Sequence, residues 1–133
     1  MKRILVAYDG GAPAQRALAT GMELAKRFGA SISVVSVIPS HAGRIPIEAW
    51  DDGAVHATQL QEAREILAAN GLEAELLEPS GDPARAIERV VESGGFDTVV
   101  LGSRGLGAIS RFLQGSVSEH VATHARATVV IAR

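Results

Sequence analysis

The sequence contains no cysteine, which excludes disulfide staples, thiolate metal ligands and cysteine nucleophiles. Aromatic residues are nearly as scarce: 4% of the chain, against 47% hydrophobic residues overall. A core of this kind is built from Ala, Val, Leu and Ile, the side chains of a sheet packed closely by helices. A basic surplus is also missing, because 13 Lys and Arg stand against 15 Asp and Glu for a formal net charge of -2. Binders of nucleic-acid backbones carry the opposite imbalance, so no nucleic-acid partner is expected. No apolar run approaches the roughly 20 residues that span a bilayer. The opening MKRILVAYDG also has too short an apolar stretch for a secretory signal. These absences lead to the expectation of a cytoplasmic protein with no membrane partner. At 133 residues it is expected to form a single domain, 1–133. A domain of that size buries roughly two thirds of the surface its unfolded chain exposes.

What is present alternates between two periods. Arg3 to Asp9 is a short apolar run ending in turn residues, a buried strand. After Pro13, the residues Ala14, Ala17, Leu18, Gly21, Met22, Leu24, Ala25 and Phe28 recur at helical spacing, and Gly29 stands where a helix-ending glycine belongs. Ser31 to Ile38 reads as a second strand. Pro39 to Gly53, with two prolines and two glycines, reads as an irregular and mobile surface connection. A helix from about Ala54 to Ala69 is expected to turn Ala57, Leu60, Ala63, Ile66 and Leu67 inward. A third strand follows at Leu72 to Glu78. Asp82 then caps a helix that begins at Pro83, packs Ile87, Val90 and Val91, and stops at glycine. Phe96 to Gly102 is a fourth strand, Ser116 to about His124 a last helix, and ATVVIAR a closing strand. The prediction is an α/β protein: one doubly wound, mostly parallel five-stranded sheet with helices on both faces. Ligands of such sheets sit outside the carboxyl ends of the strands, where the strand order reverses. Two strand ends carry unusual residues, Asp9-Gly10-Gly11 and the stretch from Gly102 to Gly115. If their strands are neighbours, the two line one crevice.

The glycine-dense window LGSRGLGAISRFLQGSVSEH, Leu101 to His120, raises three mechanisms. A phosphate loop of the GxxxxGK[ST] kind needs Lys and then Ser or Thr after its second glycine, but Ala108 and Ile109 follow Gly107. A GxGxxG dinucleotide fingerprint needs glycine at position 110, where Ser110 stands, and normally follows the first strand. There remains the pattern Gly102-x2-Gly105-x9-Gly115-Ser116.

That pattern resembles the nucleotide-binding signature G-x2-G-x9-G-[ST] of the universal stress protein family. The similarity runs the length of the chain, through ILVAYDG, GDPARAI, FDTVVLGSRG and ATVVIAR. The resemblance implies a Rossmann-like fold of the adenine nucleotide alpha hydrolase-like kind, with ATP or another adenine nucleotide and Mg²⁺ as cofactors. By the same resemblance, the loop holds the phosphates through Gly102, Arg104, Gly105, Gly115, Ser116, Val117 and Ser118. The implied base wall is Ala7, Val37 and Leu101, and Asp9 lies at the ribose or holds Mg²⁺. The backbone physics is compatible: unpaired amides and the positive dipole end at Gly115 to Ser118 attract an anion, and Arg104 and Arg111 flank the segment. The alternative remains open that Ser116-x-x-Glu119 is a capping box serving the helix alone. Asp9 has a similar alternative, capping its own turn. The family often has Ser after DG, whereas here Gly11-Ala12-Pro13 follows, so a side-chain cap is lost. Ala7, Val37 and Leu101 read equally as core.

His120 and His124, four residues apart, have a spacing that can hold a metal. No third ligand is evident in the sequence, so a solvated or interface face is the expectation. Asp51-Asp52 reads as polar loop, and Trp50 as an anchor or a partner contact. The β-branched closing strand at a sheet edge is an aggregation hazard that pairing with a second copy removes, and the resemblance implies a homodimer through it. No catalytic residue is identified, since His41 and His56 are poor candidates for a base. The expected function is a nucleotide-binding, stress-response module. A slow ATP hydrolase or phosphotransferase, or a nucleotide-free interaction module, is the alternative.

Overall fold

The computed structural model describes residues 1–39, 46–103 and 115–133, except for the side chains of 39, 46–56, 115, 116 and 118. The elements follow in the order β1 (Arg3–Ala7), α1 (Ala12–Phe28), β2 (Ser31–Val35), β3 (Ile38–Pro39), α2 (Pro46–Ala69), β4 (Ala74–Leu77), β5 (Ser80–Gly81), α3 (Pro83–Gly94), β6 (Thr98–Gly102), α4 (Gly115–His124) and β7 (Thr128–Ala132). Five strands form one sheet in the order β4-β2-β1-β6-β7, with every pair parallel. The expected α/β sheet is therefore present, and β1 is its central strand. A short parallel ladder of β3 with β5, not anticipated from the sequence, prolongs the pairing of β2 with β4. The amides of Ser36 and Ile38 bridge the two ladders, donating to the carbonyls of Leu77 and Pro79.

Alternation along the strands divides the core in two. Ile4, Val6 and Tyr8 point to the face covered by α1 and α2, where they pack with Ala14, Leu18, Leu60, Ala63 and Leu67. Leu5 and Ala7 point to the face covered by α3 and α4, with Val35, Val37, Ile87, Val91, Val99, Leu101, Val117 and Val121. The central strands are apolar on both sides because both faces are covered. In the middle of α1, Gly21 brings that helix close to β1, since a Cβ there would lie 2.5 Å from Val6 Cγ2.

The caps behave as their residues dictate. Asp82 accepts a hydrogen bond from the Arg85 amide at 3.2 Å, and Pro83 opens α3. Gly29 and Gly95 end α1 and α3 in the left-handed conformation. Helix α1 starts from Gly11 with no side-chain cap, as its sequence suggests. At the far end of the sheet, Asp97 Oδ2 accepts from the amides of Lys2 at 2.7 Å and Arg3 at 3.2 Å, and its Oδ1 accepts from the Thr98 hydroxyl at 2.8 Å. Partial burial pushes the Asp97 carboxyl up, but the Lys2 amide, the Thr98 hydroxyl, the Arg3 amide and the terminal amine together hold it below the usual carboxylate value.

Three expectations need correction. The irregular stretch does not extend to Gly53: α2 begins at Pro46. Proline's fixed φ suits the first turn of a helix as well as a loop, and a single interior glycine costs a helix only about 1 kcal/mol. The second strand ends at Val35 rather than running to Ile38, which, in β3, pairs instead with Ser80. Ala57 is exposed, while Leu60, Ala63 and Leu67 turn inward as expected.

Candidate functional site

Because every strand is parallel, all the carboxyl ends lie along one border of the sheet. From β1 the chain passes through α1 to β2 on one side, while β6 pairs with β1 on the other. This is the reversal point at which a doubly wound sheet opens a crevice. Asp9 and Gly102 both stand here, just beyond β1 and at the end of β6. Ala7, Val37 and Leu101 reach the same border, but their side chains are buried in the α3/α4 core.

Asp9 is half-buried, and its Oδ1 accepts a hydrogen bond from the Gly11 amide at 3.0 Å, the local turn bond that a short carboxylate makes two residues on. Gly10 between them has φ +83°, a backbone conformation that L side chains rarely adopt. A Cβ at Gly10 would also meet the Gln59 side chain at 3.0 Å, so α2 covers this turn closely. The amide oxygen of Gln59, Oε1, is buried and, among the described residues, has no hydrogen-bond partner. A buried acceptor left in that condition costs about 1–3 kcal/mol. One turn further along α2, Glu62 Oε1 accepts from the Tyr8 hydroxyl at 3.3 Å. Burial, followed by the neighbouring charge of Glu62, its hydrogen bond and the charge of Asp9, pushes the Tyr8 phenol up to about 12.

On the other face, α4 starts at Gly115, and Val117 in its first turn is buried in the same cluster as Ala7, Val37 and Leu101. The start of this helix is thus anchored near the carboxyl ends of β1 and β6. Gly102 has a packing reason for lacking a side chain: a Cβ there would collide with the backbone carbonyl of Pro13. The next amide, of Ser103, is committed to the Ala132 carbonyl at 2.8 Å. Arg104, Gly105, Arg111 and His41 lie outside the described residues. So do the side chains of Ser116 and Ser118, and those of Trp50, Asp51, Asp52 and His56 in α2.

Two features escaped the sequence reading. Gln59 gave no signal, being one polar residue on an amphipathic helix. The absence of a third ligand beside His120 and His124 is corrected, because Glu88 of α3 meets His120 at 2.6 Å. Those residues are 32 positions apart, and only the packing of α3 on α4 joins them.

The model of the universal stress protein family matches residues 1–133. A universal stress protein of Thermus aquaticus is 33% identical over 136 residues, covering 99% of this chain and 98% of the relative. Among solved structures, a universal stress protein in complex with cAMP aligns with a TM-score of 0.78 at 25% identity, covering 99% of this chain and 97% of the other. The universal stress protein from Archaeoglobus fulgidus in complex with dAMP aligns with a TM-score of 0.77 at 23% identity, covering 100% and 98%. The chain belongs to the universal stress protein family.

Proposed function

We propose that this universal stress protein binds an adenine nucleotide, ATP with Mg²⁺, in the crevice beyond β1 and β6, and serves as a regulatory stress-response module rather than an enzyme. The observation that carries the reading is the pairing of β1 with β6, which puts Asp9-Gly10 and Gly102 at the reversal point of the sheet. The buried amide oxygen of Gln59, beside that turn, has no donor among the described residues and fits a ribose hydroxyl or an adenine amino group. The relatives crystallised with cAMP and dAMP support the adenine class.

In this reading Asp9 holds the ribose or Mg²⁺, an oxygen ligand suited to that ion. The backbone ends of Ala7, Val37 and Leu101 border the base. The triphosphate rests on amides of the signature, from Gly102 and Gly105 to Gly115, Ser116, Val117 and Ser118, with Arg104 offsetting its charge. Strand β7, at the outer edge of the sheet, pairs with a second copy in the cytoplasm, so that nucleotide occupancy biases the dimer or its partner contacts.

The test is direct. Freshly purified protein is denatured, and the supernatant is analysed for adenine nucleotides. The thermal midpoint is then followed against Mg-ATP, AMP and cAMP. Retained nucleotide or a saturable upward shift is expected, abolished by Gly115→Val and without turnover of ATP. No retained nucleotide and no shift with any of the three would remove the reading.

A further inference from the structure

Glu88 on α3 and His120 and His124, one turn apart on α4, meet where the two helices pack together. His120 Nδ1 lies 2.6 Å from Glu88 Oε2, and His124 Nδ1 lies 2.9 Å from the His120 carbonyl oxygen. A carbonyl oxygen can only accept, so His124 carries a proton on Nδ1 and, as the neutral ring, presents its lone pair on Nε2. The Glu88 carboxylate accepts from His120 Nδ1–H, which leaves the lone pair of His120 on Nε2 as well, and the second carboxylate oxygen of Glu88 stays available as a ligand. The two rings are stacked with centroids 4.2 Å apart and 22° between their planes. One donor atom from each of the three residues lies within 4.8 Å of the other two. Four-coordinate zinc, with bonds of about 2.0–2.2 Å, sets its ligands roughly 3.4 Å apart. Rotation of these partly exposed side chains covers the difference.

The geometry points to a site for a divalent transition-metal ion of the zinc class, held by Glu88, His120 and His124, with water completing the coordination on the exposed side. Two imidazoles and one carboxylate suit Zn²⁺, Co²⁺ or Ni²⁺, whereas Mg²⁺ and Ca²⁺ prefer oxygen alone. The site is thus chemically separate from the proposed nucleotide crevice. Its ligands come from both helices, so the ion clips α4 onto α3 and stabilises the folded chain.

Untagged protein stripped with EDTA and titrated calorimetrically with ZnCl₂ is expected to bind one ion per chain. The thermal midpoint is expected to rise with ZnCl₂ and not with MgCl₂. Co²⁺ is expected to give the intense visible bands of a four-coordinate centre. His124→Ala and Glu88→Gln are each expected to weaken zinc binding at least about tenfold, with unchanged circular dichroism. Absence of saturable zinc binding by the unaltered chain overturns the proposal, as does unchanged affinity in either variant.

Discussion

Gly102 at the end of β6 sits against the backbone of Pro13 in the first turn of α1, so closely that a Cβ would meet the Pro13 carbonyl group and, at 2.7 Å, the Pro13 Cβ. Backbone cannot swing aside as a flexible side chain can. Gly102→Ala is therefore expected to destabilise the chain by about 1–3 kcal/mol, the usual cost of overpacking. The measurement is a lowered urea midpoint at unchanged slope, with no ligand present. An unaltered midpoint would mean that α1 gives way freely.

Tyr8 is the chain's only tyrosine, so near-ultraviolet absorbance reports its ionisation without interference from another phenol. The midpoint is expected near 12 in the folded protein and near 10 after unfolding. A raised value in the folded state contributes stability that is fully present below the unfolded value and disappears as pH rises through the folded one. Stability is therefore expected to fall between about pH 10 and 12, and the decline attributable to this group should vanish in Tyr8→Phe.

Gln59→Leu separates the ligand from the fold. Removing the unsatisfied oxygen is expected to leave the ligand-free chain as stable or more stable, since the desolvation penalty disappears. Loss of one ligand hydrogen bond, about 1 kcal/mol, is expected to weaken adenine-nucleotide binding roughly fivefold. Equal affinity in the two proteins would take Gln59 out of the site.

For Asp97 the sign of the pH effect is opposite to that of Tyr8. Its lowered value in the folded state contributes stability that is present above the unfolded value and is lost as pH falls through the folded one. Asp97→Asn is expected to lower stability at neutral pH and to flatten the acid limb of the stability profile. Chemical denaturation at a series of acid pH values provides the comparison, and parallel limbs in the two proteins would contradict the clamp.

Strand β7 has one neighbour in the sheet, and Ile131 on it is 36% exposed. A charge on an edge strand opposes edge-to-edge pairing. Ile131→Lys is expected to shift the proposed dimer to monomer in sedimentation velocity, with the secondary structure retained. A monomeric unaltered protein would dispose of the dimer directly.

The sheet was legible because its residues leave few options. Strands β1 and β6 are buried on both faces and so are apolar without alternation, while Asp82-Pro83 and Gly29 mark helix ends by backbone chemistry that acts within a few residues. Pro46 was misread because the same fixed φ serves a loop and the first turn of a helix. The site was less legible than the sheet. That Gly102 makes room for Pro13, that Gln59 covers Gly10 and that Glu88 reaches His120 are facts of tertiary approach between residues far apart in sequence. A glycine signature marks a family resemblance, but it does not separate the glycine a ligand needs from the glycine a neighbouring helix needs.

The bond from the Ser103 amide to the Ala132 carbonyl fastens the first residue after β6 to the outermost strand. The root of the glycine-rich segment is thereby tethered to the sheet's rim as well as to its middle. A shift of β7 along its neighbour therefore reaches that root directly, through the backbone bond of Ser103 as well as the ladder that ends at Gly102.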